Sequence, residues 1–429
     1  MAVDANVISF ERIKENLLIG KDLTEAYEVG NKNSLTSIID ANVTTLIAAI
    51  IMFILGQSSV KGFATMLIIT NIVTIIVMVY LVKYILKQFV KTRIFNDKLG
   101  LFIGINKNKI KKEKQVRIPH QNVNAIKLSK KSIILTIILL VLGITLFFTT
   151  KTNFGVDFTG GTSITINNNN TLDKSIPEII KEYKYTIEKT KITDNETTIT
   201  VKEVLDKEDI TSLTTNLKDN YNLDSDIYVV SKIVKQELVK NAIKSLIVAS
   251  IGIIIYIAIR FRFIYAISGI VALLHDIVFT FLFFTTFKIE INSIFIAAIL
   301  TIIGYSINDT IVTFDIIRDG YKNKYKGNIT KVEDLDDLVN NSIRRTLSRT
   351  ILTTITTIIP VIILLVFGSK EILTFNIALL VGFILGTYSS IFISNMLWLK
   401  LEKRRILKPK KEDDDDDEIQ ELKVRGINC

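Results

Sequence analysis

Cysteine occurs once in this chain, as Cys429 at its last position, and histidine twice, as His120 and His275. A disulfide framework is therefore excluded, and no group of Cys and His stands at metal-ligand spacing. The opening Met1-Ala-Val-Asp4 lacks the basic stretch followed by an apolar core that marks a secretory signal. The segment Gly155-Val-Asp157-Phe-Thr-Gly160-Gly161-Thr carries a glycine pair but no strand–loop–helix frame and no lysine to cradle phosphate. It reads as a tight turn leading into a strand. No cofactor is implied by any of these patterns.

Apolar residues, by contrast, make up 48% of the 429 residues against 22% charged, and mean hydropathy is +0.38. Such a chain is too apolar for an ordinary soluble protein. The net charge of +10 then reports membrane orientation before it suggests nucleic acid. Apolar runs long enough to cross a bilayer lie around 40–57, 62–82, 132–150, 242–259, 263–287, 291–314, 350–367 and 372–397. Basic residues orient these spans. Lys107, Lys109, Lys111, Lys112, Lys114 and Arg117 put the loop from Lys83 to Lys131 inside, and Arg260, Arg262, the 315–348 stretch and Arg404-Arg405 fall inside by alternation. The turns at 57–61, 288–290 and 368–371 fall outside.

The same alternation places the polar stretch 151–241 outside. Its pattern predicts strand (Thr162–Ile166), helix (about 176–184), strands (Tyr185–Lys189 and Thr197–Lys202), helix (about 207–218) and strand (Ile227–Lys232). Ser175 with Pro177 and Glu178 makes a capping box, and Asp206 caps the second helix. The order βαββαβ is the ferredoxin-like split motif. The fold class is thus an α-helical membrane protein of about eight spans with one extracytoplasmic α+β ferredoxin-like domain. The acidic run Asp413 to Asp417 with Glu418, after the basic residues 403–411, reads as a solvated tail.

An internal repeat lies in the membrane part. Residues 42–55 resemble 351–364, which sets Thr44-Thr45 over Thr353-Thr354 and Asp40 over Arg349. Upstream, the segment from Asp4 resembles that from Asn308-Asp309, with Phe10 over Phe314 and Asp4 one position from Asp309. Asp309 sits inside an apolar span, where an ionised carboxylate costs several kcal/mol. It must pair, face water or take up a proton, and a cation nearby that helps it release the proton completes a minimal relay. Arg349 is that cation and Asp4 the second acid, with Thr310, Thr353 and Thr354 as a polar path. Asp276, beside His275 in another span, reads as a structural pair.

These residues carry a resemblance. Phe154-Gly-Val-Asp157-Phe-Thr-Gly160-Gly161-Thr, Leu274-His-Asp276, Ile303-Gly-Tyr-Ser-Ile-Asn-Asp309-Thr and Thr346-Leu-Ser-Arg349-Thr together look like the SecF family, over roughly 131–405. Met1-Ala-Val-Asp-Ala-Asn, Asp40-Ala-Asn-Val-Thr-Thr and Val60-Lys-Gly-Phe resemble the C-terminal end of SecD. The chain is therefore similar to the C-terminal part of a fused SecDF in the RND superfamily. Its parts would be a truncated SecD-like repeat (1–90), a basic cytoplasmic linker (91–131), a first SecF-like span (132–150), the extracytoplasmic domain (151–241), five further spans (242–400) and a cytoplasmic tail (401–429).

The resemblance implies a non-enzymatic subunit in the bacterial plasma membrane that uses proton flow to assist polypeptide export. Its implied partners are the SecYEG channel, SecA, the rest of SecD, a YajC-like subunit, the unfolded exported polypeptide and the lipid bilayer, with no nucleic acid. Asp4, Asp309 and Arg349 match the family's charged intramembrane positions. Sodium is an alternative coupling ion. Two other functions share these features: an RND-type exporter of small molecules or lipids, which would normally carry two larger outer domains, and a non-catalytic assembly factor of the translocase.

Overall fold

The computed structural model describes residues 2–94, 98–105, 123–167, 176–193, 196–329 and 331–407. The basic cluster Lys107–Arg117, His120, Ser175, the run Asp413–Glu418 and Cys429 lie outside these residues. Eight helices are long and apolar enough to cross a membrane. They are α2 (Leu23–Leu55), α3 (Val60–Lys91), α4 (Ala125–Thr149), α7 (Lys232–Arg260), α8 (Phe263–Thr286), α9 (Ser293–Asn323), α10 (Val332–Phe367) and α11 (Lys370–Leu407). A further helix, α1 (Ala2–Leu18), precedes them.

Several helices run well past their apolar stretches. Polar turns at the end remote from the α+β domain keep helical propensity and find partners across the bundle. Lys403 meets Asp336 at 2.6 Å and Arg345 meets Glu15 at 2.9 Å. The helices also differ in exposure. Of the most apolar stretch of α9, 83% is buried, against 6% in α4. Thus α9 is the central post and α4 a peripheral helix of the chain.

The two copies of the repeat seen in the sequence fall on triplets of helices in the same order. α1, α2 and α3 form one half-unit and α9, α10 and α11 the other, with α2 packed along α9. Gly304 of α9 permits that approach: a Cβ there would stand 3.1 Å from the Thr45 Cα. Each half-unit carries a six-residue π-helical turn at a matching place in its last helix, Val77–Val82 in α3 and Ser389–Ser394 in α11. Such turns shift the helix face and recur at working sites.

Between α4 and α7 lies the α+β domain: β1 (Gly161–Asn167), α5 (Ile176–Glu182), β2 (Ile187–Thr193), β3 (Glu196–Val201), α6 (Lys207–Tyr221) and β4 (Ser225–Val230). The sheet is antiparallel in the order β2-β3-β1-β4, with Ile164 opposite both Ile199 and Ile227. Alternation turns Ile164, Ile166, Ile199 and Val201 onto Ile180, Leu213 and Leu217 of the two helices. Asp206 caps α6 by accepting from the Glu208 and Asp209 amides at 3.0 and 2.8 Å. Two strands shift from their expected places. β4 ends at Val230 because Ser231 caps α7, accepting from the Val234 amide at 3.3 Å. β2 begins at Ile187, after the stacked rings of Tyr183 and Tyr185.

This domain is seated directly on the membrane helices. The Gly155 amide donates to the Ile291 carbonyl and the Ile291 amide to the Asn153 carbonyl, each at 2.9 Å. Lys189 of β2 reaches Glu290 at 3.0 Å. α7 continues without a break from the capping Ser231 down to Arg260.

Candidate functional site

Asp309 lies midway along α9 and is 4% exposed, and its carbonyl accepts from the Thr313 hydroxyl at 3.1 Å. The backbone of α1 brings Ala5 and Ile8, neighbours of Asp4, to the same small cavity as Asn308. Asn42 and Thr45 of α2 close that cavity. The two aligned segments thus meet at one cavity through Ala5 and Asn308.

Arg349, on α10, is 5% exposed. Its Nε and Nη2 are buried with no hydrogen-bond partner among the described residues. Nor do Arg349 and Asp309 make a direct ion pair: among the described residues no carboxylate stands within 4.0 Å of the Arg349 guanidinium. Arg349 instead lines a second small cavity with Glu11, Glu15 and Ser37, walled by Ile8 and Val312. Where the sequence suggested a pair with Asp309, the Arg349 guanidinium faces Glu11 and Glu15 of α1.

A charge cluster that sequence reasoning missed lies across the bundle. Arg260, the last residue of α7, donates from Nε to Asp40 of α2 at 2.9 Å and stands 3.8 Å from Asp315 of α9. Tyr256, one turn earlier, donates to the other Asp40 oxygen at 2.6 Å. Asp315 also accepts from Ser37 at 3.1 Å and from Arg318 at 2.8 Å. Both carboxylates are 4% exposed, so both need these partners. The signal was available: the repeat sets Asp40 over Arg349, and Asp315 follows Phe314. Arg260 was read only as an orienting charge at a span end.

Asp276 of α8 is fully enclosed. It accepts from Ser306 of α9 at 2.5 Å and from Ser389 of α11 at 2.9 Å, and its other oxygen meets His275 Nδ1 at 2.9 Å. The π-helical turn of α11 presents Ser389 to Asp276 and the next residue, Ser390, to Thr310, whose hydroxyls share a hydrogen bond of 2.8 Å. A polar seam therefore runs from Asp276 to the residue beside Asp309. Thr353 and Thr354 donate to the Thr350 carbonyl at 3.0 and 2.7 Å, and Thr354 also meets Thr387 at 2.6 Å. They bind α10 to itself and to α11.

Asp157 and the glycine pair lie at the foot of the α+β domain. Asp157 accepts from the Ser293 amide, the first residue of α9, at 2.7 Å, where the helix dipole favours a negative charge. It also accepts from the Tyr228 hydroxyl at 3.1 Å. Burial, and then the Asp157 carboxylate, push the Tyr228 phenol up to about 12. Gly160 and Gly161 both have positive φ, at 76° and 115°. A Cβ on Gly161 would stand 2.3 Å from the Val201 carbonyl oxygen. The glycine pair therefore makes the turn that leads into β1 while Asp157 pins the domain to the top of α9.

Comparison with known proteins accounts for this arrangement. The family model for the C-terminal region of the protein export membrane proteins SecD and SecF matches residues 1–92 and 209–404, and a model of the SecD/SecF GG motif matches 145–167. The protein translocase subunit SecDF of Bacillus subtilis is 40% identical over 418 residues, covering 95% of this chain and 56% of that protein. SecF of Sebaldella termitidis is 37% identical over 273 residues, covering 62% of this chain and 86% of that protein. The crystal structure of SecDF from Thermus thermophilus, described as a translocon-associated membrane protein, superposes with a TM-score of 0.76 at 29% identity, over 94% of this chain and 53% of that one. The chain thus spans about half the length of the SecDF relatives it matches. It belongs to the SecD/SecF family of protein export membrane proteins.

Proposed function

We propose that this chain is the C-terminal half of an export motor in the bacterial cytoplasmic membrane, using the proton motive force to help draw polypeptides across. Its α+β domain faces outward and its basic loops face the cytoplasm, as the excess of Lys and Arg at that end favours. It works beside the SecYEG channel and SecA, with the remainder of SecD and a YajC-like subunit, on an unfolded polypeptide.

The observation that carries this reading is the burial of Asp309 and Arg349, at 4% and 5% exposure, in the seam between α1 and the second half-unit. An ionised carboxylate is costly there, so Asp309 takes up a proton from the outer side and releases it toward the cytoplasm, aided by the Arg349 charge. Each protonation changes the net charge of the seam and shifts the balance between two packings of the half-units. α9 carries the shift outward, since its first residue is bonded to Asp157.

The test is preprotein export into inverted vesicles holding the complete complex. Asp309→Asn is expected to abolish the part of export that the proton gradient stimulates, leaving ATP-driven export by SecA intact. Stimulation equal to wild type would overturn the proton-relay reading and favour an assembly role.

A further inference from the structure

The repeat and the geometry together single out a second acid in the seam. Glu11 follows Phe10 and so falls on Asp315, just as Asp40 falls on Arg349. The fold therefore holds two related charge sites, one where α2 meets α9 and one where α1 meets α10. At the first, Arg260 stands between Asp40 and Asp315, and Tyr256, Ser37 and Arg318 complete their hydrogen bonds. That site is closed.

The second is lined by residues of α1, α2, α9 and α10. Glu11 and Arg349 line one cavity, near enough for the Arg349 charge to act on the Glu11 carboxylate. Two buried nitrogens of Arg349, Nε and Nη2, have no hydrogen-bond partner among the described residues. Ser37 and Thr346 supply hydroxyls to the lining, and Ile8, Val312 and Ile316 wall it. The space suffices for a water molecule, which needs the two to four polar partners these groups offer. Val312 is three residues after Asp309 on α9, so the cavity opens one turn below that carboxylate. On its other side stands a ladder leading out of the bundle: Arg12 with Glu15 at 3.2 Å, Glu15 with Arg345 at 2.9 Å, and Arg12 with Asp319 at 3.7 Å.

We infer that Glu11 is the next proton carrier after Asp309, receiving the proton through water held in the Arg349 cavity and passing it to the cytoplasmic side. This rests on the proton-coupled reading above. In the step, the Asp309 carboxylic acid loses its proton to the water chain and becomes carboxylate. The Glu11 carboxylate gains a proton from the same chain and becomes carboxylic acid. Arg349 stays a cation throughout, and Glu11 then gives its proton to solvent beside Glu15. The charged groups facing Glu11 are Arg12, Lys14 and Glu15 on its own helix and Arg345 and Arg349 on α10; α2 offers Ser37, and α9 offers only Val312 and Ile316.

The experiment reconstitutes the complete complex in vesicles and follows proton flux with an internal pH dye, for wild type, Glu11→Gln, Glu11→Asp, Glu11→Ala and Asp309→Asn. Glu11→Gln is expected to slow flux at least tenfold, Glu11→Asp to keep most of it with a shifted pH profile, and Glu11→Ala to regain flux when formate is added. Loss of flux in Asp309→Asn with wild-type flux in Glu11→Gln would overturn this inference alone. Loss in Glu11→Ala that formate does not restore, with a Glu11→Asp pH profile like wild type, would assign Glu11 a purely structural role and overturn it too. Wild-type flux in Asp309→Asn would overturn the reading on which it rests.

Discussion

Arg260 neutralises two carboxylates that come from different halves of the molecule. Both lie in the interior, and taking away their shared cation leaves Asp40 without a cation beside Asp315, which keeps only Arg318. Arg260→Gln is therefore expected to destabilise the folded protein by about 3 kcal/mol or more. Asp40→Asn is expected to cost less, because Arg260 keeps Asp315. In the Arg260→Gln background, Asp40→Asn should recover stability by relieving the repulsion, a coupling that a double-mutant cycle by thermal unfolding in detergent would measure. If the two changes simply add, the three-way clamp is not an energetic unit. At this scale the sequence was only partly readable. Asp309 and Arg349 announced themselves as charges in or beside apolar runs. Arg260 and Asp315 did not, because a charge at the end of a span has an ordinary explanation as an orienting residue. Which acid a long arginine side chain reaches depends on how helices distant in sequence pack. The same reason explains why Arg349 turns toward Glu11 instead of pairing directly with Asp309.

At the scale of elements, α9 joins the α+β domain to the charge sites. It is buried along nearly its whole length, its first residue is fixed by Asp157, and both Asp309 and Asp315 project from it. Its packing on α2 depends on Gly304, where the Thr45 hydroxyl donates to the Gly304 carbonyl at 3.2 Å. Gly304→Leu is expected to force α2 and α9 apart at a cost of about 2–3 kcal/mol from overpacking. Gly62→Leu, at a position with open space around it, should leave stability unchanged. Equal unfolding midpoints for the two variants would contradict the close approach described for α2 and α9. The apolar runs made the spans legible, since a helix long enough to cross a bilayer has a signature that no packing detail can disguise. Their polar extensions were hidden by the same charges that marked the loops. The order of the α+β domain was legible from alternation and capping residues, with Asp206 the best example. The π-helical turns at Val77–Val82 and Ser389–Ser394 left no mark that periodicity reveals.

At the scale of the whole molecule, two half-units enclose the charge sites, and one small domain stands over them. α7 and α9 both connect that domain to the charges: α7 ends on Arg260, and α9 begins at the Asp157 contact. A change of packing between the half-units therefore reaches the domain through two rigid helices instead of a flexible loop. Arg260 clamps one of these sites, and Glu11 and Arg349 line the water-sized cavity at the other. Proton coupling requires that Asp309 exchange a proton during the cycle. The most direct measurement is infrared difference spectroscopy of the complete complex in lipid between high and low pH, comparing wild type with Asp309→Asn. The account predicts a carboxylic-acid carbonyl band that appears on acidification in wild type and is missing from the variant. An identical set of bands in both would contradict it.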